Sequence, residues 1–113
     1  MKTNKILILS ISGCDYEEIN SVDFLKNLSK EIAAKVKVNE IKKISHEFSP
    51  QGVTVVSMLA ESHIALHSWP EYNYLSITVF SCSSRDPEKC LPIIKDNLEH
   101  SNIRKQKIEN AIN

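Results

Sequence analysis

The sequence predicts an α+β sandwich in which helices pack on one face of a sheet. Three observations predict it. The apolar patterns run strand, helix, four strands, helix and tail, within 113 residues, a length that suits one domain with one modest core. The run Tyr74–Cys82 alternates: Leu75, Ile77 and Val79 form an apolar face, and Tyr74, Ser76, Thr78, Phe80 and Cys82 a mixed one. Gly13 and Gly52 are the sole glycines, so neither a dinucleotide-binding turn nor a P-loop can be written.

Lys5–Ser12 is a short, nearly continuous apolar run and reads as a central strand. The letters up to Cys14 mimic a lipoprotein signal, yet the apolar stretch Ile6–Ile11 is shorter than the roughly 7–15 residues of a signal core. Ser21 fits an N-cap, and Leu25, Leu28, Ile32 and Val36 follow at helical spacing, predicting a helix over residues 22–35. Residues 37–48 are β-like, with Val38, Ile44, His46 and Phe48 placed on one side. Ser49-Pro50-Gln51-Gly52 is a turn by its Pro and Gly. Strands follow over Val53–Ala60 and His63–Trp69, the second closed by Pro70, and Tyr72-Asn73 turns the chain into Tyr74–Cys82. Asp86 and Pro87 open a second helix to about Glu99, and Pro92 requires that it start later or kink. The tail, Asn102–Asn113, suits strand or helix.

Composition excludes several classes. The 14 Lys+Arg balance 14 Asp+Glu, so the basic surplus of a nucleic-acid binder is missing. No stretch nears the about 20 apolar residues that span a bilayer. Cys14, Cys82 and Cys90 are an odd, widely spaced set that suits a reducing compartment, the cytoplasm, better than a disulfide framework. His63 and His67 lie on a strand, about 13 Å apart at 3.3 Å per residue, so no metal ion is expected between them. Ser62, flanked by Glu61 and His63 and followed by His67 and Cys82, fits a nucleophile. Such neighbours are common by chance. Phe48, Trp69 and Tyr74 read equally well as core aromatics, and Cys82 as an inert thiol. Spacing alone assigns no function.

The segment Ala60-Glu61-Ser62-His63-Ile64-Ala65-Leu66-His67-Ser68-Trp69-Pro70-Glu71 resembles the signature of the bacterial and archaeal S-adenosylmethionine decarboxylases. His46-Glu47-Phe48-Ser49-Pro50-Gln51-Gly52-Val53-Thr54 precedes it at the family's spacing, and Tyr74–Cys82 matches the strand that ends in the family's catalytic cysteine. The similarity covers about residues 44–91. It implies a two-layer, mainly antiparallel sandwich whose copies stack uncovered sheet faces into a homodimer, with sites at or near the interface.

The resemblance also implies chemistry. The chain is a proenzyme (a zymogen) that cuts itself between Glu61 and Ser62 into chains 1–61 and 62–113. The Ser62 hydroxyl attacks the Glu61 carbonyl, β-elimination releases Glu61, and the dehydroalanine left at position 62 hydrolyses to a pyruvoyl group. His67 is the processing base, assisted by the Thr54 hydroxyl. The pyruvoyl carbonyl forms a Schiff base with the substrate amine and acts as an electron sink for decarboxylation, while Cys82 returns a proton to the α-carbon. Phe48 and Trp69 sandwich the adenine, and Glu71 binds the ribose hydroxyls. The product, decarboxylated S-adenosylmethionine, serves polyamine (spermidine) synthesis.

Departures from the family pattern leave alternatives open. The Asp expected four residues before the cysteine is Thr78; the glycines expected after the cysteine and before the strand's tyrosine are Ser83 and Asn73; Val55 replaces a glycine; and the first strand lacks its His. Relatives that decarboxylate L-ornithine or L-arginine share the machinery, so substrate drift is the alternative within the enzyme class. A non-catalytic regulatory paralogue is the alternative outside it, disfavoured because Ser62, His67 and Cys82 are all kept.

Overall fold

Among the described residues six strands form one sheet in the order β2-β3-β4-β5-β1-β6, every neighbouring pair antiparallel. These are β1 (Lys2–Ser12), β2 (Glu40–Glu47), β3 (Val53–Leu59), β4 (Ser62–Trp69), β5 (Tyr74–Cys82) and β6 (Asn102–Ile112). The helices are α1 (Tyr16–Ile19), α2 (Val22–Val36) and α3 (Leu91–Asn97), with 3-10 turns at Pro70–Tyr72 and Pro87–Cys90. The structure is a computed structural model and describes residues 2–82 and 85–112.

The expected sandwich is observed. Alternation decides which face is covered: Leu7, Leu9 and Ile11 of β1, Val53, Val55 and Leu59 of β3, Ile64 and Leu66 of β4, and Leu75, Ile77 and Val79 of β5 are all buried. They meet Leu25, Leu28, Ile32 and Val36 from α2 and Ile94 from α3. One polar pair crosses this layer. Ser29 and Ser57, both fully buried, share a 2.7 Å hydrogen bond that satisfies each hydroxyl and sets the rotation of α2 on β3. The capping expectation holds: Ser21 Oγ accepts from the Phe24 N–H at 3.1 Å, and α2 ends with Lys37 in the left-handed region.

Two local expectations change and two open ones are resolved. Val38 does not share a side with Ile44 and His46: it is buried in the core, Ile44 is exposed, and an irregularity between Glu40 and Lys42 resets the alternation. Phe48 lies beyond the end of β2 and its ring is half exposed. The second helix starts late, a 3-10 turn at Pro87–Cys90 giving way to α3 with Pro92 in its first turn, where a missing N–H costs nothing. The tail is strand β6, because the open edge of β1 supplies partners from Lys2↔Ile112 to Ser12↔Asn102. Lys105 and Lys107 on β6 hydrogen-bond Glu88 and hold its carboxyl below the usual range.

Gly13 joins β1 to α1 at φ +74, and a Cβ built there would lie 1.9 Å from Ser101 Oγ and 2.7 Å from the Ser101 N. Gly13→Ala is therefore expected to lower stability by more than about 2 kcal/mol, combining left-handed strain with overpacking. The shift in urea midpoint at constant slope measures it. Among the described residues, no helix is long and apolar enough to cross a membrane.

Candidate active site

β3 and β4 are joined by a tight hairpin, with Leu59 paired to Ser62 and only Ala60 and Glu61 between them. The turn forces Glu61 to φ +59, a left-handed conformation that costs a non-glycine residue about 1–2 kcal/mol. Ser62 begins β4 on the helix-covered face, 8% exposed, and its Oγ has no hydrogen-bond partner. Burying a hydroxyl unpaired costs about 1–3 kcal/mol. Strain and an orphaned nucleophile thus flank one peptide bond. Cys82, at the end of β5, reaches that bond from the uncovered face: its Sγ is 3.3 Å from the Glu61 carbonyl oxygen and 3.4 Å from Glu61 Oε2.

The other cysteines differ in kind. Burial pushes the Cys14 thiol up to about 11, with Glu18 and Glu99 adding to it, and burial pushes Cys90 up to about 12. Both lie in the core and stay protonated.

At the opposite end of β4 the uncovered face carries a second group. His67 Nδ1 and Thr54 Oγ1 are 3.0 Å apart on paired positions of β4 and β3. Both line a cavity of about 300 Å³ together with Phe48, Gln51, Gly52, Trp69 and Glu71. The loop before β3 shapes it: the Phe48 N–H donates to Gly52 O at 2.8 Å, and Gly52, at φ +108, donates its N–H to Asn20 Oδ1 at 3.0 Å. A 3-10 turn after β4 carries Glu71 to the rim. Trp69 and Phe48, 42% and 52% exposed, are no core aromatics; both stand exposed at the cavity.

Tyr74, read from the sequence as a core aromatic, and His46, read only as a strand residue, both support the site. Tyr74 packs 5.6 Å from Trp69 and donates from its hydroxyl to Ser10 Oγ at 2.9 Å, and His46 meets Phe48 edge-on at 4.6 Å. Their signal was strand parity, since both occupy the uncovered face beside the cavity.

The structure brings Glu61, Ser62 and Cys82 together, and separately Thr54, His67, Phe48, Trp69 and Glu71. It does not bring His67 to Ser62. On a straight strand those residues require a bend or bulge to face one another, and none is present: β4 pairs in unbroken register from Ser62 to Trp69 with β3 and from His63 to Trp69 with β5. Ladders on both sides hold it straight, so five residues span about 16 Å and end on opposite faces. Among the described residues no His, Cys, Asp and Glu cluster has metal-binding geometry.

Two departures from the family pattern have local explanations. Asn73 adopts φ +52, tolerated by Asn better than by other side chains, and its Nδ2 donates to Cys14 O at 3.0 Å. Val55 is fully buried under α2 as part of the core. Thr78 lies mid-face, paired with Ala65 and Ile8, and Ser83 lies outside the described residues.

Comparison with known proteins bears on the family and the fold. Residues 5–111 match the family model described as S-adenosylmethionine decarboxylase. The S-adenosylmethionine decarboxylase proenzyme of Clostridium botulinum (strain Hall) is 32% identical over 93 residues, covering 81% of this chain and 80% of the relative. That of Bacillus velezensis is 36% identical over 99 residues, covering 87% and 77%. The crystal structure of the adenosylmethionine decarboxylase from Aquifex aeolicus VF5 superposes with a TM-score of 0.86 at 25% identity, over 96% of this chain and 91% of that one. The match spans both hairpins, the cysteine strand and the aromatic cavity, and the chain belongs to the S-adenosylmethionine decarboxylase family.

Proposed function

We propose that the chain is a self-processing decarboxylase that removes CO₂ from S-adenosylmethionine, with a pyruvoyl group made from its own Ser62, in the service of polyamine synthesis. The observation that carries this reading is the Cys82 thiol 3.3 Å from the Glu61 carbonyl oxygen, on the bond whose serine hydroxyl is buried without a partner. The residues fit the formation of such a group. A thiol hydrogen bond polarises the carbonyl, the left-handed Glu61 turn is relaxed by cutting, and Ser62 Oγ lies one residue away as nucleophile. Attack by Ser62 Oγ on the Glu61 carbonyl carbon breaks the C–N bond and forms an ester. Loss of the Ser62 α-proton then expels Glu61 as a carboxylate, and hydrolysis of the dehydroalanine consumes one water and releases ammonia. A pyruvoyl group there supplies an electron sink for the carbanion left by loss of CO₂. Cys82 stands on the face from which a proton can be returned to the substrate carbon.

The base for the Ser62 α-proton must come from elsewhere, because His67 of the same chain is about 16 Å away along β4. A second copy supplies it. Met58 and Ile44, 50% and 60% exposed, form with Val56 an apolar patch on the β2–β3 side of the uncovered face, next to Lys42, and such a patch is what a self-complementary interface buries. A two-fold axis between the stacked faces and across the strands exchanges their ends. It brings the Thr54–His67 pair of one copy toward the Glu61–Ser62–Cys82 group of the other. The Thr54 hydroxyl then orients the imidazole through the 3.0 Å contact.

The cavity argues for a nucleoside. Two half-exposed aromatic rings, Phe48 and Trp69, suit a purine and also favour a sulfonium cation, and Glu71 can accept from a ribose diol. Phe48→Ala or Trp69→Ala is expected to lower kcat/KM for S-adenosylmethionine by about 5- to 150-fold, the worth of about 1–3 kcal/mol for one stacked base. Self-cutting should be unchanged. The deciding measurement is CO₂ release from labelled S-adenosylmethionine, L-ornithine and L-arginine in parallel. Turnover of an amino acid without turnover of S-adenosylmethionine would leave the self-cutting chemistry standing and replace the substrate.

A further inference from the structure

Two asparagine side chains pin the two loops of the cavity to one short segment, residues 14–20, which leads from β1 through α1 to α2. On one wall, Asn20 Oδ1 accepts from the Gly52 N–H at 3.0 Å, and Gly52 O in turn accepts from the Phe48 N–H at 2.8 Å. On the other, Asn73 Nδ2 donates to Cys14 O at 3.0 Å, while the Cys14 N–H donates back to Asn73 O at 2.9 Å. Asn73 also closes the 3-10 turn that carries Glu71, its N–H donating to Pro70 O at 2.9 Å. We propose that residues 14–20 are a brace that sets the spacing of the cavity walls, with Asn20 and Asn73 as positioning residues, the first for Phe48 and the second for Glu71. This rests on the nucleoside reading of the cavity and adds what fixes the distance between the ring that stacks and the carboxylate that accepts from the ribose.

The segment is stiff enough for this task. Cys14 and Ile19 are both buried in the core, one near each end. Between them α1 is capped by Asp15, whose Oδ2 accepts from the Glu18 N–H at 3.0 Å, and Ser21, the residue after Asn20, caps α2. Behind Cys14 the chain is held again, the Ser101 N–H donating to Ser12 O at 2.8 Å. Loops tied to such a support hold their side chains in place before substrate arrives, so less ordering is required on binding. The residue types suit the two jobs. Gly52 is buried, and its N–H requires the acceptor that Asn20 supplies. A glycine at position 73 would allow the same left-handed backbone but bring no donor, leaving the Glu71 turn held by backbone bonds alone.

Steady-state kinetics of the mature enzyme with S-adenosylmethionine test the brace. Asn20→Ala and Asn73→Gly should each raise KM about 3- to 10-fold, the worth of one neutral hydrogen bond, with kcat within about twofold of wild type, because neither side chain touches the reacting atoms. Asn20→Asp keeps an acceptor oxygen and should return KM to within about twofold of wild type. Each asparagine acts through the residue it positions. The Asn20→Ala increase should therefore vanish in a Phe48→Ala background, and the Asn73→Gly increase in a Glu71→Gln background. A merely structural role would lower the urea midpoint and leave KM where it was. An unchanged KM in either folded variant, or an increase that persists in full once the positioned residue is removed, overturns the brace and leaves the proposed function intact. A wild-type enzyme that does not turn over S-adenosylmethionine overturns both. Should Asn20→Ala fail to fold, Asn20→Ser takes its place with the same expectation.

Discussion

Ser62→Ala is expected to leave a folded, uncut chain with no measurable decarboxylation, a loss of about 10⁴-fold or more by comparison with other covalent nucleophiles. Without Oγ there is no N-to-O acyl shift, hence no ester, no elimination and no keto group. Folding should not suffer. Ser62 is nearly buried and its hydroxyl has no partner, so Ala removes an unsatisfied polar atom and stability should stay level or rise by up to about 1 kcal/mol. Intact mass and thermal midpoint test the two halves together. Wild type should give fragments 1–61 and 62–113, the second lighter by one ammonia than a serine-started fragment and closed to N-terminal sequencing. An unmodified wild-type chain after long native incubation, or a cut Ser62→Ala chain, would sink the mechanism.

His67→Ala alone is expected to stall before elimination, and pairing it with Ser62→Ala should rescue the cut. Each homodimer lacks one half of the chemistry. In a mixed dimer, Ser62 of the His67→Ala chain meets His67 of the Ser62→Ala chain, so one site of two is complete. Random mixing would give about a quarter of wild-type turnover, with about half of the His67→Ala chains cut and no Ser62→Ala chain cut. The two chains differ in mass, so one spectrum of the co-expressed pair reads the outcome. If each variant folds and dimerises yet no cut chain forms in the mixture, His67 does not act across the interface. Cys82→Ala is a different case: it should slow the cut by removing the thiol from the Glu61 carbonyl, and abolish turnover by removing the proton donor.

Local letters determined much of this protein. The alternation of Leu75, Ile77 and Val79 and the helical spacing of Leu25, Leu28, Ile32 and Val36 were sufficient for the sandwich, because burial follows periods of 2 and 3.6 whatever the neighbours are. The Glu61-Ser62 motif and the aromatic, histidine and cysteine letters around it were sufficient for the family. Long-range placement was not legible. The break in alternation between Glu40 and Lys42 arises from pairing with β3, the tail became a strand because β1 had an open edge, and Asn73 took the place of a glycine by bonding to Cys14 across the fold. Above all, Ser62 and His67 lie five positions apart in sequence, and only the ladders on both sides of β4 decided that this spacing means opposite faces about 16 Å apart. The chain lists which groups the chemistry uses; the hydrogen-bonded sheet decides that Cys82 meets Glu61 from within, and that the histidine is left for another copy to supply.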